Sequence, residues 1–174
     1  VKIRFLIFEI ILEIYKKNKS FDTIFETISQ SKKISDRDKS LINNVCLNSM
    51  RYKFHIDKIL KKFLKKKSKT NEYVIFLTSI TQIVFLDFKE YAVINSSVEI
   101  AKYAGVYPGL INAVLKKIAL KKNELKKIYI KFNDLPDWFK KNAKKLTSRE
   151  KNQFLKNYFK QPSLHIVFKS EKNL

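Results

Sequence analysis

The side chains best suited to a defined chemical contact in this chain are its four arginines, Arg4, Arg37, Arg51 and Arg149, set in a background of lysine. A planar guanidinium offers a rigid fork of donors that fits a phosphate or a base edge, and a lysine ammonium cannot copy it. Arginine that persists among lysines therefore marks positions where contact geometry matters. Three of the four fall in the first third of the chain. Lysine and arginine number 37 against 16 aspartates and glutamates, giving a net charge of +21 and a pI near 9.9. A field of that size and sign calls for a polyanionic partner. Lys, Ile, Asn, Phe and Tyr are also the residues that AT-rich codons favour. Under that reading the lysine excess is compositional drift and the chain is a helical protein-binding adaptor.

The residues that could carry catalysis do not assemble. Cys46 falls in the apolar stripe Leu41, Ile42, Val45, Cys46, Ser49, Met50 and reads as a small buried hydrophobe rather than a nucleophile. A lone cysteine allows no internal disulfide and fits a reducing cytosol, hence a cytoplasmic protein. His55 and His165 are far apart with no further soft ligands nearby, so no zinc site is expected. Asp36 and Asp38 follow Ser35 at the spacing of a helix cap, which suits them better than an acid/base couple. Only two glycines, Gly105 and Gly109, are present, too few for a glycine-rich cofactor loop.

The elements that must position the arginines are helices. The first 17 residues place Ile3, Ile7, Ile10, Ile11 and Ile14 on one face, while Glu9 and Glu13 interrupt the apolar run. Charge-free stretches of only 5–8 and 10–12 are too short for a membrane span or an anchor, and no small-residue cleavage site follows. A start at valine fits an alternative start codon or a clipped fragment. Ser20 caps a short helix with Phe21, Ile24, Phe25 and Ile28 inward, and Ser35 starts a longer one ending near Arg51. Ile56, Ile59, Leu60, Phe63 and Leu64 form the next apolar face, backed by a lysine-rich outer face between 58 and 67. Residues 73–86 are apolar almost all round, which suits the centre of a bundle. Between 91 and 118, two helical patterns flank the segment 105–109, which holds both glycines and Pro108, so a tight turn folds one helix back on the other. No strand-like alternation precedes residue 128.

The expected fold is all-α, with about seven helices in residues 1–127 and a connector in 128–174. In the connector, Asp134 and Pro136 start a helix containing Trp138, and Thr147 with Glu150 has capping-box spacing ahead of Phe154, Leu155 and Phe159. Residues 162–169 alternate weakly and read as a first strand, the start of a truncated α/β domain.

The order DRDKSLINNVCLNSMRYKFHIDKIL, EYAVINSSVEIAKYAG and GLINAVLKKI resembles the NusB-like RNA-binding domain. It is most similar to the version that opens the RsmB/Sun family of ribosomal RNA cytosine methyltransferases. The family's acidic-Arg-acidic helix start matches Asp36, Arg37 and Asp38, and its Leu-Arg near the helix end matches Met50 and Arg51. An aspartate then opens the next helix, here Asp57. The Ala-Val-Asn-x-x-Val-Glu segment matches Ala92, Val93, Asn95, Val98 and Glu99, with Ile94 as an extra residue. Val-Asn-Ala-Val-Leu-Arg matches Ile111, Asn112, Ala113, Val114, Leu115 and Lys116, where lysine replaces the family's arginine. LPDWF at 135–139 and QPSLH at 161–165 resemble the connector ahead of the catalytic domain, although the Arg-Val-Asn met after that proline reads Ile166, Val167, Phe168.

The resemblance implies a bundle in two antiparallel subdomains that binds ribosomal RNA, with no cofactor in this chain and S-adenosylmethionine used by the parent enzyme. Neither a glycine-rich S-adenosylmethionine loop nor a Pro-Cys or Thr-Cys nucleophile motif is present, so this stretch is not expected to transfer methyl groups. The candidate RNA contacts are Lys2, Arg4, Arg37, Arg51 and Lys116, supported by Lys117, Lys121 and Lys122. Arg51 has a second reading, an ion pair with Asp57 joining two helices. Asn112 reads as a buried amide capping backbone near the turn, with Asn95 and Glu99 also architectural. Trp138 reads as packed between connector and bundle rather than stacked on a base. The rival function within the same family is transcription antitermination, with a leader RNA and a ribosomal protein as partners.

Overall fold

The computed structural model describes residues 2–158 and 160, and all regular structure among them is helical. The chain divides into two compact units, Val1–Ile130 and Lys131–Leu174. The first holds α1 (Lys2–Lys17), α2 (Phe21–Ser31), α3 (Asp36–Arg51), α4 (Lys53–Phe63), α5 (Thr70–Ile80), α6 (Glu90–Tyr103), α7 (Pro108–Leu120) and the single turn α8 (Lys122–Leu125). Seven substantial helices and one short turn match the expected all-α bundle. Residues 128–130 stay with this unit: Ile130 is buried, and Lys58 donates to the Tyr129 carbonyl at 2.9 Å.

Local signals set the helix starts. Ser20 Oγ accepts from the Thr23 amide, and Ser35 Oγ accepts from the Asp38 amide while donating to the Asp38 carboxylate at 2.8 Å. The Asp36/Asp38 pair thus belongs to a cap, with Asp36 also holding Lys39 at 3.1 Å. α4 begins at Lys53, so Asp57 sits in its second turn rather than opening it.

α5 is the hub. It touches α1, α3, α4, α6 and α7, and Val74, Ile75, Phe76, Leu77 and Ile80 are all buried. Tyr15 packs edge-on against Tyr73 at one end, while Arg4 reaches Gln82 at the other, so α1 and α5 run antiparallel. Ser79 shares a 2.6 Å hydrogen bond with Ser97, and Asn71 donates to the Ala104 carbonyl at 3.0 Å, so α5 and α6 are antiparallel too. One continuous core runs from Leu6 through Leu125. In α1, Leu6 and Phe8 are buried with Ile7, Ile10 and Ile11, whereas Ile3 and Ile14 are only half-buried.

The α6–α7 turn follows from its glycine. Gly105 has φ +67, Val106 N–H donates to the Ala101 carbonyl at 2.9 Å, and Pro108 starts α7. This is a helix end closed by a left-handed residue, a conformation that costs an L-residue about 1–2 kcal/mol. Nothing lies within 4 Å of where a Cβ would sit, so that conformational strain is the whole cost. Gly105→Ala should lower unfolding stability by about 1 kcal/mol in urea titration, with Gly105→Asn milder, because asparagine tolerates this region. The amide that caps the turn is Asn71; Asn112 is half-buried and forms no hydrogen bond among the described residues.

The second unit, taken by itself, has a 3₁₀ turn (Phe132–Asp134), α9 (Asp137–Asn142) and α10 (Ser148–Tyr158). Pro136 precedes α9, and Asp134 closes the 3₁₀ turn by accepting from the Lys131 amide at 2.7 Å instead of starting the helix. The Thr147–Glu150 capping box forms in both directions. Phe139 stacks on Phe154, and Leu155 is buried. Phe159 and the segment 162–169 expected as a strand, and with it the start of an α/β domain, lie outside the described residues.

Candidate nucleic-acid interface

Beyond Ile80 the central helix widens into a π-helical segment, Thr81–Phe85, and the candidate contacts converge on it. Leu86 N–H reaches back to the Thr81 carbonyl, and Asp87 takes φ +52 as the chain leaves for α6. The wide turn holds the Gln82 amide inward, where its Nε2 donates to the Thr78 carbonyl and its Oε1 faces α1.

Four helix ends meet there. α1 begins with Lys2, two residues before Arg4. α3 ends at Arg51, and the next residue, Tyr52, stacks on Phe85 with ring centroids 4.0 Å apart. α6 begins at Glu90, which pairs with Lys122, and Asp87 pairs with Lys126 at 2.7 Å. These pairs bring the end of α7, with Lys116, Lys117 and Lys121 all exposed, to the same end of the bundle. Seven of the eight candidate residues thus lie towards one end of the bundle. Arg37 is the exception: it sits exposed in the first turn of α3, about 21 Å along the helix axis from Arg51.

The gathered residues are not equivalent. Arg4 turns inward, its Nε donating to Gln82 Oε1 at 2.8 Å and one terminal nitrogen to Ser96 Oγ at 3.3 Å. Partial burial holds its pKa below the ordinary arginine value. Lys122 is neutralised by Glu90, which raises the lysine and lowers the carboxylate. Lys2, Lys116, Lys117 and Lys121 are exposed and form no ion pair among the described residues.

Arg51 is half-buried and does not bridge to Asp57. Its guanidinium donates to Asn48 Oδ1 at 3.1 Å, and Asp57 is taken instead by Lys53 and by the Tyr73 hydroxyl, each at 2.8 Å. The reason is local: Lys53 stands one turn before Asp57 on α4, the favourable spacing, while Arg51 belongs to the preceding helix. Asn48 orients the Arg51 fork and leaves its remaining donors for a ligand.

Two residues at this end have no counterpart among the sequence candidates. Tyr91 is 65% exposed beside Glu90, and Lys89 is exposed just before it. A helical wheel could have found Tyr91, since Tyr91, Asn95, Glu99 and Lys102 share one solvent stripe. That stripe also corrects the architectural reading of Asn95 and Glu99. Both are exposed, Glu99 pairing only with Lys102 at 2.8 Å, and the interior polar positions of α6 are Ser96 and Ser97. Elsewhere, burial pushes the Cys46 thiol up to about 12, so it carries no thiolate at neutral pH. Among the described residues no cluster of three His, Cys, Asp or Glu could hold a metal, and no helix is long and apolar enough to cross a membrane.

Comparisons with known proteins give relatives of two kinds. The transcription antitermination protein NusB of Buchnera aphidicola is 34% identical over 120 residues, covering 66% of this chain and 84% of that protein. The ribosomal RNA small subunit methyltransferase B of Cronobacter sakazakii is 25% identical over 131 residues, covering 72% of this chain and 30% of the enzyme. A probable methyltransferase B of Bacillus subtilis is 26% identical over 122 residues, with 27% of its length covered. The chain therefore spans about a third of the methyltransferases it matches. Residues 1–120, nearly the whole bundle, match the model of the NusB family, and the chain belongs to that family.

Proposed function

We propose that the chain is the RNA-recognition region of a ribosomal RNA cytosine methyltransferase, and that it binds ribosomal RNA at the basic end of the bundle. The observation that carries the RNA reading is that Lys2, Arg51, Lys116, Lys117 and Lys121 lie towards one end of the bundle, the end at which α6 begins with the exposed Tyr91. Charge supplies affinity; the oriented Arg51 fork and the Tyr91 face supply selectivity among RNA structures. Methyltransferase parentage is supported by the methyltransferase B relatives and by a second compact unit after the bundle. The methyl donor, S-adenosylmethionine, would belong to a part of the parent other than the residues described. Gly105 closes a helix and Gly109 lies in the first turn of α7 beneath Tyr107, so neither forms a cofactor loop.

A second reading, transcription antitermination, is favoured by the 34% identity to a NusB protein over 84% of its length. A leader RNA and a ribosomal protein would then be the partners. Both readings place RNA at the same end and differ in which RNA is preferred. The test is binding of a ribosomal RNA fragment and of an antitermination leader across a salt series. Neutralising about five phosphates on a single strand gives a log-log slope near −3.5. A flat salt response would sink the nucleic-acid reading and leave a protein-binding adaptor. Arg51→Ala should weaken RNA binding about tenfold, more than removing any two lysines between 58 and 67. Equal losses would mean a diffuse field with no site.

A further inference from the structure

The second unit has its own chemistry, which the bundle reading does not use. Its three described acids are all engaged locally: Asp134 accepts from the Lys131 amide, Asp137 pairs with Lys140 at 2.7 Å, and Glu150 closes the α10 cap. Lys141, Lys144, Lys145, Arg149 and Lys156 are exposed, and none pairs with a described residue. Trp138 is 65% exposed. It is held edge-on by Phe139 at 5.7 Å and 85°, and Phe139 is itself fixed by stacking on Phe154 at 4.9 Å. The indole is thus anchored by one edge while its surface stays open to solvent. Within this unit the phenylalanines, not Trp138, occupy the interior.

Trp138 and Lys141 are one helical turn apart and share a face of α9; Lys144 and Lys145 follow in the next turn. On α10, Arg149 and Lys156 are seven residues apart and share a face that points away from Phe154, the ring stacked on Phe139. An open aromatic face with exposed lysines following it in the chain matches the two halves of a nucleotide, base and phosphate. A duplex offers no free base face, whereas an unpaired strand does. An acidic peptide would satisfy the charges and leave the indole without a partner of its own kind.

We propose that the second unit carries its own single-stranded RNA-binding surface, in which Trp138 stacks on an unpaired base and Lys141, Lys144 and Lys145 hold the adjoining phosphates. The proposal rests on the chain being an RNA-binding protein and adds a contact beyond the region matched to the family, which ends at residue 120.

Trp138 is the only tryptophan in the sequence, so its emission reports on this surface directly. The full chain is titrated with a labelled single-stranded oligouridylate, following RNA anisotropy and tryptophan emission together. Quenching should saturate in step with anisotropy, and a blunt RNA duplex should bind without comparable quenching. Trp138→Ala should weaken single-strand binding about tenfold, and Trp138→Phe should recover most of it. Arg51→Ala should shift the curve while leaving the quench at saturation. RNA binding with unmoved emission would overturn the surface and leave the bundle site standing. Quenching without any Arg51 effect would do the reverse, and no RNA binding at all would remove both. If polyglutamate quenches as strongly and competes equally, the partner is an acidic protein and the RNA surface is rejected.

Discussion

Replacing Arg4 by alanine is expected to destabilise the bundle by about 3 kcal/mol, a larger effect than on RNA affinity. Arg4 joins three elements, α1, the π-helical segment and α6, through Gln82 and Ser96. A hydrogen bond from a charged donor contributes about 1.5–3 kcal/mol, and stranding a buried acceptor costs about 1–3 kcal/mol more. The acceptor at risk is Gln82 Oε1, because Gln82 is 3% exposed and its Nε2 is already committed to the Thr78 carbonyl. Ser96 is less affected, since its hydroxyl also donates to the Ala92 carbonyl at 2.7 Å. Urea unfolding of Arg4→Ala, Gln82→Leu and the double variant measures the coupling directly. The two single losses should sum to about 1–2 kcal/mol more than the loss in the double variant, because removing both partners leaves no orphan. Arg4→Lys should recover only part, since one ammonium cannot reproduce a fork directed at two acceptors. Intact stability in Arg4→Ala together with abolished RNA binding would reverse this assignment.

The contrast between Arg4 and Arg51 shows which parts of the site the sequence could reveal. Residue type alone marks both as candidates for a geometric contact, and both guanidiniums make directed hydrogen bonds, each to a partner within the chain. What it could not show was direction. Arg4 finds Gln82 and Ser96 at separations of 78 and 92 residues, so its inward turn depends on tertiary packing. Signals confined to a few residues fared better. The Ser20 and Ser35 caps, the Thr147–Glu150 box and the Gly105 turn each close within one turn of chain, and each formed as its spacing implied. The π-helical segment left no such mark. Thr81, Gln82 and Val84 look like any continuation of an apolar helix, and the wider turn is visible only from the Leu86 to Thr81 hydrogen bond. The exposure of Trp138 within its own unit is likewise not legible from residue type, because it follows from Phe139, Phe154 and Leu155 filling the small interior.

Acidification should expose a weakness close to the same bundle end. His55 is 8% exposed, its ring set edge-on against both Tyr52 and Phe85. Burial, with the Lys58 charge as a smaller contribution, lowers its pKa to about 4. In the unfolded chain it returns to about 6.5. Above pH 6.5 histidine is neutral in both states and contributes nothing to pH dependence. Below 6.5 the unfolded chain takes up the proton first, so stability falls with pH until the native state also protonates near pH 4. The full gap corresponds to a loss of about 3 kcal/mol. Asp87, Glu90, Asp137 and Glu150 are held below the usual carboxylate range by lysine or cap hydrogen bonds. Their losses start only where unfolded carboxylates protonate, below about pH 4.5, so most of the histidine window is separate. His55→Phe keeps an aromatic ring between Tyr52 and Phe85 and removes the titration. Urea midpoints from pH 7 to 4.5 should fall steeply in the natural chain and much less in His55→Phe. Parallel curves would show that His55 charges without penalty and that the aromatic cage opens to water.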